Sequence, residues 1–464
     1  MSTPRARLSR TTPAAPVRIV HLGLGAFHRS HQAWYTQHAG DSGEWGIASF
    51  TGRRPDAATV LAAQDGLFTV VERSDAGDSF EVVGSIVEAV DGADVARFVD
   101  LLAAPSTAVV TLTITEAAYG LGAADLPVLL SGGELTTPIG RLVAGLAARK
   151  DHDAGPLAVV SCDNLSNNGN VARNGVLSLA REVDAGLAEW IDANVSFVST
   201  SVDRITPRTT PDDVALVAGS CGYLDDAPVV TEPFHNWVLS GDFPAGRPRW
   251  EDAGAVFVDD IEPYENRKLW LLNGAHSILA YAGQLRGHAT VAEALADPLC
   301  RDAVEKFWDE AARHLPDELG VPEYRAALLE RFGNSRIAHH LAQIAMDGTT
   351  KLRMRALPVL MAERMARRSG NGAARMIAAW LAYLSSATDL QDPLAEDISV
   401  ANAFEGNERI AALLGFLSSD LARDTRLVNH LNALQTELAA ASPADSTLEP
   451  AGSLDAEPVL KGQP

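Results

Sequence analysis

Short apolar runs alternate with longer helical stripes through the first half of the chain, and then the short runs stop. Aliphatic and β-branched residues gather at 17–22 (V-R-I-V-H-L), 46–50 (G-I-A-S-F) and 68–72 (F-T-V-V-E). They gather again at 108–114 (A-V-V-T-L-T-I), 157–161 (L-A-V-V-S) and 195–200 (V-S-F-V-S-T). Such runs suit a pleated backbone and predict strands. Between them, notably at 137–149 and 171–188, apolar residues recur every three or four positions, which predicts helices. That alternation predicts a mostly parallel sheet covered by helices. Beyond about residue 260 the strand signal fades and Ala, Leu, Arg and Glu dominate, with helices expected near 298–314, 349–368, 372–386 and 424–440. The pattern therefore divides into an α/β domain at 17–259 and an all-α domain at 260–441. The polar, Pro- and Ala-rich ends, 1–16 and 442–464, are expected to be disordered tails.

Composition narrows the function. The 464 residues carry 38 Lys and Arg against 60 Asp and Glu, a formal charge of −22. That balance argues against a nucleic-acid partner or a broad anionic membrane surface. No apolar run reaches the length of a membrane span, and the N-terminus lacks the apolar centre of a signal peptide. Cys162, Cys221 and Cys300 are widely spaced and odd in number, which fits free thiols in a reducing compartment. The expectation is a soluble cytoplasmic protein, monomeric or a small homo-oligomer, acting on a small molecule.

The first strand runs into H-L-G-L-G-A-F-H-R-S-H, with Gly23 and Gly25 at its end. Strand, glycine turn and helix are the setting of a dinucleotide loop, and they make the first domain Rossmann-type. Gly23 would permit the tight turn and Gly25 the close approach of backbone N–H groups to a pyrophosphate. The third glycine is replaced by His28, so the helix is expected to pack differently. Arg29 is a candidate phosphate contact. His28 and His31 share one helix spacing, but no third ligand stands at a telling distance, so no metal is expected. After the second strand, T-G-R-R-P-D offers Arg53 and Arg54, which favour NADP, and Asp56, which favours NAD.

A second stretch, K-L-W-L-L-N-G-A-H-S at 268–277, sets Lys268, Asn273 and His276 in an apolar helix. At roughly 100° per residue they fall at 0°, about 140° and about 80°, within half the circumference. A lysine among Leu and Trp is drawn toward neutrality and suits a general base. An amide NH₂ suits a developing alkoxide. Both are what hydride transfer from an alcohol requires, without a metal. Tyr264 and Lys268 also form a Y-x-x-x-K pattern like that of short-chain dehydrogenases, but Pro263 marks a helix start there and the chain is about twice their length.

Seven blocks, in order, resemble the polyol-specific long-chain dehydrogenase/reductase family. They are G-L-G-A-F-H-R-S-H (23–31), T-L-T-I-T-E-A-A-Y (111–119), S-C-D-N-L (161–165), V-D-R-I-T-P (202–207), E-P-F-H-N-W-V (232–238), K-L-W-L-L-N-G-A-H-S and D-G-T-T-K (347–351). The resemblance implies an expanded Rossmann domain followed by a helical substrate domain, with the active site between them. It implies Lys268 as general base, Asn164 and Asn273 as oxyanion donors and His276 as the residue that orients substrate. Asp203 and Lys351 would be further substrate contacts. It places the cofactor, NAD with NADP as an alternative, against Gly23, Gly25, Phe27, Arg29, Thr115 and Glu116. Eight residues before Lys351, where mannitol 2-dehydrogenases of this family have a sugar-contacting arginine, stands Gln343, in a segment more similar to the hexuronate reductases.

The expected activity is NAD(P)-dependent, metal-independent interconversion of a linear polyol or aldonate with its keto form. Mannitol with fructose ranks first, mannonate with fructuronate second and mannitol 1-phosphate with fructose 6-phosphate third. The alternative of another class is a dinucleotide-binding protein without catalysis.

Overall fold

The computed structural model describes residues 5–120, 122–337, 339–387 and 389–440. The expected tail from 442 lies outside them. The described chain forms two compact units. The first takes the chain to Lys268 and adds Leu315–Ile337; the second takes Leu269–His314 and the chain from Ala338 onward. A single cut near residue 260 therefore misses one excursion, in which the helix Val321–Gly333 packs with the first unit.

The first unit holds eleven strands: β1 (Val17–Leu22), β2 (Gly46–Phe50), β3 (Phe68–Ser74), β4 (Gly77–Val83), β5 (Ile86–Val90), β6 (Val109–Leu112), β7 (Leu157–Ser161), β8 (Val195–Asp203), β9 (Val229–Thr231), β10 (Asn236–Ser240) and β11 (Val256–Phe257). Eight of them form one sheet in the order β11-β10-β8-β7-β6-β1-β2-β5, and β4-β3-β9 form a second. All pairs in the large sheet are parallel except β8 with β10. Both faces are buried, as helices on either side of a mostly parallel sheet require, and the central strands are accordingly near-continuous apolar runs. Val20, Leu22, Val110 and Leu112 pack with Phe98, Leu142 and Val176 on one face. Ile19, Ile47, Ala158 and Val160 pack with Trp34, Tyr35 and Trp237 on the other.

Two helical stripes break where the sequence has a local reason. The stripe 171–188 becomes Asn168–Val183 and Ala185–Asn194, because Asp184 leaves helical geometry and caps the second helix through Leu187 N–H. The stripe 349–368 becomes Gly348–Arg355 and Leu357–Met365, with Pro358 unable to donate into the preceding turn. In the second unit the helix Asn273–Leu285 is central, with Gly274 through Gly283 all buried. Gly274 is required there, since a Cβ would meet the Phe307 ring at 2.4 Å.

Residues 5–16, expected to be a loose tail, are tied down. Leu8 N–H donates to the Leu224 carbonyl and Leu224 N–H to the Ala6 carbonyl, both at 2.9 Å, and Arg10 donates to the carbonyls of Asp65, Gly84 and Ile86. The three cysteines are free. No helix among the described residues is long and apolar enough to cross a membrane.

Candidate active site

The neighbours of β1 are β2 on one side and β6, β7 and β8 on the other, so the chain reverses its winding direction at β1. Ligands of open α/β sheets bind outside the carboxyl ends of the strands at such a reversal. Four strands end there in polar residues: Gly23–Gly25 after β1, Thr113–Thr115 after β6, Asp163 and Asn164 after β7, and Asp203 closing β8.

The glycine turn is built against the end of β6. Gly23 has φ +113°, and a Cβ on it would lie 2.1 Å from the Thr113 carbonyl oxygen. Gly25 is different. Its φ of −139° suits any residue, and a Cβ would meet nothing closer than Gly23 O at 3.6 Å. Nothing inside the fold demands glycine at 25, so the open space beside it is where a pyrophosphate would fit. Thr115 sits in left-handed backbone, φ +72°, and is held by Asp163, which accepts from Ile114 N–H (3.0 Å) and Thr115 N–H (2.8 Å). Glu116 opens the short helix that follows and is exposed.

Below the turn lies a polar layer that the sequence only hinted at. His21 and His28 stack at 3.4 Å and bond to Thr111 and Ser49. Burial pushes the His21 imidazole down to about 3 and His28 well below its ordinary value, so both are neutral. His31 turns instead to the Asn236 carbonyl at 3.1 Å, so the two histidines of that helix do not converge. Phe27 stacks on His31 at 4.9 Å. Arg29 departs from its expected role. Its guanidinium faces inward, donating to Ala227 O (2.5 Å) and Gly25 O (3.2 Å), and burial lowers its pKa to about 10. It ties the turn to the fold rather than presenting charge to a phosphate.

Lys268 follows the short helix Glu262–Arg267 and opens a π turn, Lys268–Leu272, before the helix at Asn273. Uniform spacing of 100° per residue therefore does not apply across this stretch; i→i+5 bonding inserts a wide turn, a feature frequent at functional sites. The Lys268 ammonium donates to Asn164 Oδ1 at 2.5 Å and to the Val202 carbonyl at 2.8 Å. An ammonium only donates, so Asn164 presents its oxygen to it and keeps its NH₂ for another acceptor. Glu265, one turn earlier, accepts Asn167 N–H at 2.8 Å, and burial holds its carboxyl above the usual range.

Asp203 stands next to Val202, beside this lysine. Both its oxygens accept from Arg331, at 2.6 and 2.9 Å. Burial alone would raise its pKa, but Arg331 and then Lys268 bring it below the ordinary carboxylate value. Arg331 also meets Glu232 at 2.8 and 2.7 Å. Sequence reading missed Arg331, since nothing in the chain around 321–333 marks a segment that packs with the first unit. Glu232 was visible only as the first letter of E-P-F-H-N-W-V.

Asn273, His276, Gln343 and Lys351 belong to the helical unit. The Asn273 carbonyl accepts from Arg355 at 3.2 Å, and its half-buried side chain is the first of the helix. His276, 8% exposed, lies edge-on to His339 at 4.8 Å. Lys351 donates to Ile344 O at 3.1 Å, and burial, then Arg355, lowers its pKa. Gln343 is exposed and lines a cleft with Gln284, Tyr383 and Gln391.

The family model for the mannitol dehydrogenase Rossmann domain matches residues 17–252, and that for the mannitol dehydrogenase C-terminal domain matches residues 260–439. The chain belongs to the mannitol dehydrogenase family. Within the family it is 37% identical to the D-mannonate oxidoreductase of Escherichia coli (strain K12), over 91% of this chain and 93% of that protein. It is 36% identical to the mannitol 2-dehydrogenase of Cereibacter sphaeroides, over 80% and 81% respectively. Among solved structures it resembles the ternary complex of Pseudomonas fluorescens mannitol 2-dehydrogenase with NAD and D-mannitol, with a TM-score of 0.75, 33% identity and 94% of each chain covered. The mannitol dehydrogenase fold, a Rossmann unit with a mostly parallel sheet and a helical C-terminal unit, is the one the sequence pattern implied.

Proposed function

We propose that this protein is an NAD-dependent, metal-independent dehydrogenase that oxidises a secondary alcohol of a linear aldonate or polyol, with Lys268 as general base. The observation that carries the proposal is the placement of the Lys268 ammonium, 2.5 Å from Asn164 Oδ1 and 2.8 Å from Val202 O, beside the carboxyl ends of the parallel strands.

NAD, when bound, supplies the hydride acceptor. The space at Gly25, the turn at Gly23 and the Thr115–Glu116 edge would hold it. The chain does the rest. Neutral Lys268 takes the hydroxyl proton as the carbonyl forms, and returns it in the reductive direction. The Asn164 NH₂, turned away from the lysine, donates to the oxygen as negative charge develops, with Asn273 as the second amide and His276 holding the neighbouring hydroxyl. Lysine and amides supply proton acceptor and oxyanion donors together, so no step calls for a Lewis acid. NAD is favoured over NADP by the relative crystallised with it. Arg54 pairs with Asp56 at 3.8 Å after β2, which leaves Arg53 as the residue that would accept an extra phosphate.

Two features put mannonate/fructuronate ahead of mannitol/fructose. Gln343 replaces the arginine expected of mannitol 2-dehydrogenases, and the 37% relative spanning nearly its whole length is a D-mannonate oxidoreductase. Initial rates of NADH formation with D-mannonate, D-mannitol and D-arabinitol test the reading. The expected result is activity on at least one, highest on D-mannonate. Activity highest on D-mannitol restores the first ranking, and activity on none contradicts the proposal.

A further inference from the structure

Asp203 is buried beside the lysine, yet both its oxygens are already taken by one guanidinium. The same guanidinium grips Glu232 with its remaining face, and Glu232 in turn accepts Ile205 N–H at 2.5 Å. Phe234 caps the Arg331 plane at 4.7 Å. Two buried carboxylates thus flank one cation, and the charge of Asp203 acts with that of Lys268. A fork of this kind fixes geometry as well as charge.

We propose that Arg331 and Glu232 are positioning residues for the lysine site. Arg331 clamps Asp203 beside the Lys268 ammonium, and Glu232 locks Arg331 in that orientation and supplies the second negative charge of the cluster. The inference rests on the reading of Lys268 as general base, but its physical core, the charge felt by Lys268, does not.

The electrostatics follow from the groups that face the cluster. Arg331, Asp203, Arg204 and Tyr324 surround Glu232, while Asp203 and Glu265 face Lys268. His31 adds no charge near Asp203, since burial leaves it neutral. Burial pushes Glu232 up to about 7, with Asp203 adding to the rise and Arg331 opposing it. When Glu232 is ionised, the three-membered cluster carries one net negative charge, which favours the protonated form of Lys268. When it is neutral, the cluster carries none and Lys268 releases its proton more readily.

The test uses the full chain with Glu232→Gln. The rate of acetylation of Lys268, resolved by peptide mass spectrometry across a pH series, reads the titration of that amine directly. The expected midpoint lies below that of the unaltered protein by roughly half a pH unit or more. The rising limb of kcat for NAD-dependent oxidation of D-mannonate should move the same way. Arg331→Lys keeps the charge and loses the fork, and is expected to lower kcat about tenfold or more while KM changes less. Unchanged Lys268 titration in Glu232→Gln, or an Arg331→Lys variant of normal kcat, overturns the proposal. A shifted acetylation midpoint with an unmoved kcat limb instead overturns the lysine-base reading and leaves the electrostatic role of Glu232 standing.

Discussion

At the scale of single residues, the site is organised by what each group can and cannot do in a hydrogen bond. As the ammonium, Lys268 can only donate, so its contact with Asn164 orients the amide, and the orientation gives Asn164 its proposed task. Asn164→Ala is expected to lower kcat about 10²- to 10³-fold, the usual worth of one oxyanion donor, while leaving the NAD dissociation constant unchanged. Steady-state kinetics with cofactor binding by fluorescence checks both halves. Lys268 and Asn164 lie 104 positions apart, and no spacing rule connects them. Family-like motifs named both; composition and periodicity named neither partner of the other. Arg29 shows the opposite case. A basic residue after a glycine turn reads as a phosphate contact, but the Ala227 carbonyl, 198 positions away, claims it. Arg331 escaped for the same reason, because its meaning depends on Asp203 and Glu232, which only the fold brings to it.

At the scale of elements, the two glycines of the first turn separate structure from function. Gly23→Ala forces a Cβ to 2.1 Å from Thr113 O at φ +113°, and should cost about 2 kcal/mol or more of stability in urea unfolding. Gly25→Ala meets ordinary contact only and should change stability by less than about 0.5 kcal/mol. It should nonetheless weaken NAD binding at least tenfold, because the methyl group occupies the space proposed for the pyrophosphate. Equal NAD affinity in Gly25→Ala would place the cofactor elsewhere. Elements with strong periodicity were legible: β1, β2 and β7 have the predicted ends, and β3, β6 and β8 differ by a few residues. Five strands escaped, β5 and β10 among them despite ordinary length, and the other three were short or polar. β4, G-D-S-F-E-V-V, buries only Val83, and β9 and β11 span three and two residues. Their pairing is fixed by neighbours rather than by their own pattern. The π turn at Lys268 was invisible for a related reason, since its residues, K-L-W-L-L, are ordinary helix formers.

At the scale of the whole molecule, the first unit depends on neutral buried histidines. His21 and His31 are pushed down to about 3 and His28 well below 6.5, so the unfolded chain binds protons that the folded chain refuses. Their contribution to stability is complete above about pH 6.5 and is lost as pH falls from there toward 3. The urea midpoint should accordingly fall with acidification through that window; a flat profile would mean the histidines accept protons in the folded state. The chain ahead of β1 also contributes. Arg10 closes three carbonyls of the β2–β5 side of the unit, and Arg10→Ala should lower stability by about 1–3 kcal/mol. Composition at this scale argued only against a broad nucleic-acid or anionic-membrane surface; the enzyme class came from the motifs, and the family match agrees with those.

If Lys268 takes the proton while the Rossmann unit holds NAD, removing the amine stops turnover and spares cofactor binding. Lys268→Ala, assayed for NADH formation from D-mannonate and for NAD binding on the same preparation, tests it most directly. The expected result is a kcat reduced by about 10²- to 10⁴-fold with an unchanged NAD dissociation constant. A variant that turns over within a few fold of the unaltered enzyme would contradict it.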